Sequence, residues 1–140
     1  MQIIFDSKEK SIVRLDKGED CFEVLQTFAK KRDKSFTFSI IGACSMVDLS
    51  YYDLKNKKYQ SKVFDQKHIE IVSVTGNIAF LEEEILPHMH GIFSNEKYET
   101  FGGHINQLII SATGEVVVDW LGEKITRKYD EETGLKLMGK

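Results

Sequence analysis

Apolar and polar positions alternate with period two along most of this chain, and only once does the period lengthen to that of a helix. The opening QIIFD and SIVRL are apolar runs separated by the polar SKEK, which predicts two strands joined by a turn. Across DKGEDCFEVLQTFAKKRDK the period changes: Cys21, Val24, Leu25, Phe28 and Ala29 fall on one helical face. Acids stand at its start and a basic cluster at its end, as the helix dipole prefers, with Asp16 or Glu19 as the expected cap. Period two then returns. Phe36, Phe38 and Ile40 alternate in SFTFSIIGACSMVDLSYYD, where Gly42 marks a bulge or a close backbone approach. NKKYQSKVF reads as the return of a hairpin through DLKNKK. In HIEIVSVTGNIAF, Ile69, Ile71 and Ser73 are expected on one face against Glu70, Val72 and Val74, with a break at Gly76-Asn77.

HMHGIF, HINQLIISA, EVVVDWL and ITRKY add further strands, with ATGE as a tight turn between two of them. The closing DEETGLKLM is expected to cover a sheet edge or fold back on the core. One early helix followed by many short strands predicts an α+β fold on a largely antiparallel sheet, not a doubly wound one. No linker, repeat or low-complexity tract interrupts the chain, so residues 1–140 read as a single domain.

Composition narrows the function. With 140 residues, 41% hydrophobic and 29% charged, the chain can bury a core of its own. No apolar run approaches the roughly 20 residues needed to span a bilayer. MQIIFDSKEK has no basic leader before a long apolar segment, so no signal peptide is expected and the cytoplasm is the expected compartment. Cys21 and Cys44 form no C-x-x-C unit and read as buried reduced thiols. The net charge of −3, with lysines interleaved among acids, favours a solvated surface over a DNA-binding face. No S-x-x-K, G-x-S-x-G or P-loop pattern is present, so nucleophilic hydrolysis and nucleotide-phosphate binding have no support.

One stretch carries chemistry. LPHMHGIFSNEKYETFGGHI holds three of the four histidines and the only proline. On a strand beginning after Pro87, His88 and His90 point the same way, because side chains alternate with period two. An antiparallel return brings His104 onto that face, and Gly102-Gly103 lets the backbone approach closely or turn sharply before it. Three such nitrogens match a catalytic-type zinc site, which leaves a position open, against the plainer reading of hydrogen-bonded or surface histidines. Imidazole also suits other divalent transition metals. His68 stands apart as a surface or turn residue. Glu70 is the candidate proton carrier, Glu99 reads as an exposed charge, EEE at 82–84 as a solvated loop, and Asp130 with Arg127 as an orienting ion pair.

GEDCFEVLQTFA, IGACSMVDLSYYD, EIVSVTGNIAF, HMHGIF, FGGHI and RKYDEETGLKLM occur in an order that resembles the plants and prokaryotes conserved (PPC) domain family over nearly the whole chain. The resemblance implies an α+β fold, a homotrimer, and a three-histidine pattern matched by His88, His90 and His104. In plants this domain accompanies AT-hooks. No R-G-R-P hook occurs here, so weak, salt-sensitive DNA binding or a regulatory protein partner is expected, with no membrane role. The fold is more remotely similar to acetolactate decarboxylase, which implies a second reading. That reading is a small zinc enzyme on a carboxylate or keto substrate, with zinc polarising a substrate oxygen and Glu70 moving a proton.

Overall fold

The computed structural model describes residues 1–139, without the side chains of residues 66 and 67. The elements run β1 (Gln2–Asp6), β2 (Lys10–Asp16), α1 (Cys21–Arg32), β3 (Phe36–Asp53), β4 (Lys58–Leu81), β5 (Glu84–Asn95), β6 (Thr100–Trp120), β7 (Arg127–Asp130) and β8 (Leu135–Met138). Six strands form one antiparallel sheet in the order β1-β2-β6-β3-β4-β5. A further β5–β6 pairing closes β3, β4, β5 and β6 into a ring. The expected α+β, largely antiparallel architecture is present, with a single described helix.

The helix packs as its period demands: Cys21, Leu25, Phe28 and Ala29 are buried against the sheet. Phe28, Phe36 and Trp120 form one aromatic cluster, with Phe36 and Trp120 edge to face at 5.0 Å. The cap is neither Asp16 nor Glu19. Asp20 accepts from the Phe22 amide at 2.8 Å, and Glu19 turns back to the Asp16 amide and the N-terminal amine. Asp20 wins because it immediately precedes the first helical residue, within reach of the free amides. Both cysteines are buried free thiols, and burial pushes the Cys44 thiol up to about 12.

Three expectations about breaks fail, each for a local reason. Residues 58–81 form one strand, continuous through Gly76-Asn77, because Gly76 pairs with Phe38 and Met89 without interruption. ATGE is no turn either: β6 runs through it, and Gly114 lies opposite Gly42 where both strands shift register. At Gly42, with φ +145°, a Cβ would fall 2.1 Å from the Thr113 carbonyl oxygen, so only glycine lets the strands close there. The expected alternation past Ile71 also breaks. A register shift between Ile71 and Ser73 leaves Val72 and Ser73 both exposed and buries Val74.

Pro87 lies inside β5, not before it. It pairs with Ile78 on one side only, since β5 meets β6 only from His90 to Ser94. Its missing N–H therefore faces an unpaired strand edge. The last two strands form a small hairpin, tied down where the Tyr52 hydroxyl donates to the Thr133 carbonyl at 2.6 Å and by Lys136–Glu84. This hairpin covers one side of the histidine face.

Candidate metal centre

His90 on β5 stands directly across from His104 on β6, and His88 precedes His90 by one full strand period. Close approach of the strands depends on the double glycine. A Cβ at Gly102 would lie 2.4 Å from the Gly91 carbonyl oxygen, and one at Gly103 would lie 2.9 Å from that of Ser50. The stacked rings of Phe64 and Phe101, 4.2 Å apart, pack beside this crossing.

The three imidazoles converge. Each pair of ring centroids is 5.2 Å apart, and one nitrogen from each ring lies within 4.8 Å of the others. His104 Nδ1 and His90 Nε2 are 3.4 Å apart. Two nitrogens bound to one tetrahedral zinc at 2.0–2.1 Å would be separated by about 3.3–3.4 Å, so this pair already has ligand spacing. At His88 and His104 burial disfavours the protonated form, as ligation needs. Burial, then the Arg127 charge, then the neighbouring imidazoles push His88 down to about 4. Burial followed by His90 lowers His104. Neutral imidazole is the form that binds a metal, and this donor set fits a divalent transition ion.

The surroundings include residues that the sequence reading missed or assigned elsewhere. Tyr59 of β4 lays its ring 5.1 Å from that of His104. Asn77 pairs with His88 across the β4–β5 ladder. Arg127 does not pair with Asp130. Its Nη2 donates to Asn77 Oδ1 at 3.0 Å and its Nη1 to the Lys136 carbonyl at 2.8 Å. Asp130 instead accepts from the amide and hydroxyl of Thr133, closing the β7–β8 turn. A strand register sets this: Arg127 and Asp130 sit at opposite ends of a four-residue strand. Only the unusual R-K-Y-D strand hinted at such a residue, and its partner on β4 was beyond reach of local pattern.

Glu70 stands opposite Ser94 and lines neither recess at the histidines. Glu99 is exposed and bonds Asn95 in the β5–β6 connection. Glu82, Glu83 and Glu84 are exposed, and so is His68, which lies within β4 and not at a turn.

An antiparallel α+β domain with three imidazoles gathered on adjacent strands defines a β-sheet protein with a candidate metal centre. The chain belongs to the Plants and Prokaryotes Conserved (PCC) domain family, also written PPC, whose model matches residues 4–121. It is similar to a crystal structure from Bacteroides thetaiotaomicron provisionally named a DNA-binding protein. That match has 28% identity and a TM-score of 0.92, covering 99% of this chain and 96% of that one. It is also similar to a metal-containing protein of Archaeoglobus fulgidus at 28% identity and a TM-score of 0.85, covering 100% of this chain and 99% of that one. Acetolactate decarboxylase from Bacillus subtilis shares the fold alone, at 13% identity and a TM-score of 0.56, over 90% of this chain and 58% of that one. No curated protein matches the chain in sequence.

Proposed function

We propose that this PCC-domain protein is a homotrimeric regulatory or interaction module whose His88, His90 and His104 bind a divalent transition metal, zinc foremost. The observation that carries this reading is the convergence of three imidazole nitrogens within 4.8 Å. When bound, zinc supplies Lewis acidity at an open position. The chain's own contribution is to hold the three rings on paired strands, with Tyr59 against His104 and Asn77 across from His88.

Assembly is supported by an exposed apolar row. Phe5 pairs with Ile12 and Ile12 with Val117, and these side chains are 50%, 40% and 41% exposed. The same cross-strand row continues through Ser39 and Thr75 to His90. At about 4.8 Å per strand, the histidine face is roughly 14 Å from Val117, close to a boundary built on that patch. Trp120 and the other buried residues of β6 belong to the core instead. For nucleic acid, the net charge of −3 supports only weak, salt-dependent contact through a local patch.

A second reading, a small zinc enzyme, is favoured by one observation: a recess of about 360 Å³ opens beside His88 and His104. Isothermal titration with zinc tests the metal assignment. One ion should bind per chain, and binding should vanish in the His88→Ala, His90→Ala double variant. Unchanged binding in that variant rejects the site.

A further inference from the structure

The recess beside the histidines has an electrostatic imbalance. Arg127 lines it together with Tyr59 and Lys136, and among the described residues no aspartate or glutamate lines it. The smaller recess lined by His88 and His90 also has no acidic residue among those described. Among the described residues, no carboxylate lies within ion-pairing distance of Arg127, whereas Lys136 is already paired with Glu84 at 3.1 Å. Both terminal nitrogens of Arg127 are engaged, by Asn77 and by the Lys136 carbonyl, which fixes the plane of the guanidinium. Its Nε is buried and has no acceptor. A buried donor left without an acceptor costs free energy comparable to a lost hydrogen bond. A partly buried cation without a counter-charge is more costly still. An anion entering the recess would supply the missing counter-charge.

We infer that this recess binds a small organic carboxylate, with the Arg127 guanidinium as its anchor beside the three imidazoles. A guanidinium held in a fixed plane recognises the planar carboxylate with charge-assisted hydrogen bonds. The remaining lining sets the rest of the ligand. Leu86, Pro87, Leu135 and Leu137 offer apolar walls, which suit a short carbon skeleton better than a fully hydrated inorganic phosphate. The Tyr59 ring against His104 narrows the same recess. The inference rests on the metal reading, since a divalent ion on the imidazoles adds to the positive charge that Arg127 begins.

The test uses the whole chain, zinc-loaded and metal-free, with 2-oxobutyrate as probe. Only three arginines occur, at positions 14, 32 and 127, so the side-chain Nε–H region of a ¹⁵N spectrum is simple. The Arg127 Nε–H signal, identified by its absence in Arg127→Gln, should shift saturably with 2-oxobutyrate. It should stay still with the neutral butan-2-one. By calorimetry, Arg127→Gln should weaken 2-oxobutyrate about tenfold or more while zinc still binds. An unmoved Nε–H signal at saturating probe, or undiminished affinity in Arg127→Gln, overturns the anchor. A response to inorganic phosphate without one to 2-oxobutyrate overturns the carboxylate assignment. Zinc binding with a silent Arg127 removes this inference alone. An Arg127 response in a protein that takes no zinc removes the metal reading alone. The spectroscopic arm reads the native protein, so it decides even where Arg127→Gln folds poorly.

Discussion

Gly76 joins the fold to the site, and Gly76→Ala tests that junction. The residue lies on β4 between Thr75, opposite His90, and Asn77, opposite His88. A Cβ there would stand 2.5 Å from Phe38 Cζ, 2.6 Å from the His88 carbonyl oxygen and 2.8 Å from Met89 Cβ. The His88 oxygen and Met89 Cβ belong to a paired strand and cannot swing aside as a flexible side chain would. Overpacking of this kind costs about 2–3 kcal/mol. With an unfolding entropy of about 2.1 cal/mol/K per residue, a chain of this length loses roughly 3.5 °C per kcal/mol, so Tm should fall by about 7–10 °C. The backbone of His88 must move to admit the methyl, so zinc affinity should fall about tenfold or more as well. Gly18→Ala is the comparison: φ is +86° and nothing lies within 4 Å, so it carries only backbone strain of about 1 kcal/mol and should leave zinc binding alone. Calorimetric melting and zinc titration on both variants decide the matter. A Gly76→Ala protein with wild-type zinc affinity and a Tm within 2 °C would refute the packing argument.

Other outcomes follow from single contacts. Ser11 is fully buried and accepts from Trp120 Nε1 at 2.8 Å, so Ser11→Ala strands the indole N–H and should cost about 1–3 kcal/mol in urea unfolding. The folded His88 titrates near 4 against an ordinary 6.5, so the unfolded chain binds the extra proton between those values. Metal-free stability should therefore fall as pH drops from about 6.5 to about 4, and His88→Asn should flatten that part of the denaturation profile. Light scattering should give a mass three times the 16.1 kDa chain, and Ile12→Lys should dissociate it; a single-chain mass for the wild type would remove the trimer. Duplex DNA should bind weakly and lose affinity steeply with salt in mobility-shift titrations, whereas a salt-resistant nanomolar complex would expose a reading surface that net charge conceals.

Local pattern carried the reading wherever one strand face or one helical face decided the outcome. The 3.6 period of Cys21, Leu25, Phe28 and Ala29 reports directly on burial, and the spacing of His88 and His90 reports on a shared face. Local pattern failed where tertiary pairing overrode a glycine. Gly76 and Gly114 resemble breaks, yet they sit inside long strands because a neighbour fills the space a side chain would need. The bulge after Ile71 reverses the facing of later residues, and no alternation rule foresees one inserted residue. Arg127 was the hardest to place. Its partners Asn77 and Lys136 are 50 and 9 residues away, and the acid three positions along the chain was the more obvious choice.

A single metal ion held by His88, His90 and His104 should be visible by anomalous diffraction from crystals grown with zinc. Data collected on either side of the zinc edge should show one strong peak per chain, about 2.0–2.1 Å from a nitrogen of each of the three imidazoles. A map with no peak among these rings, or with zinc held at other residues while they stay apart, would contradict the account.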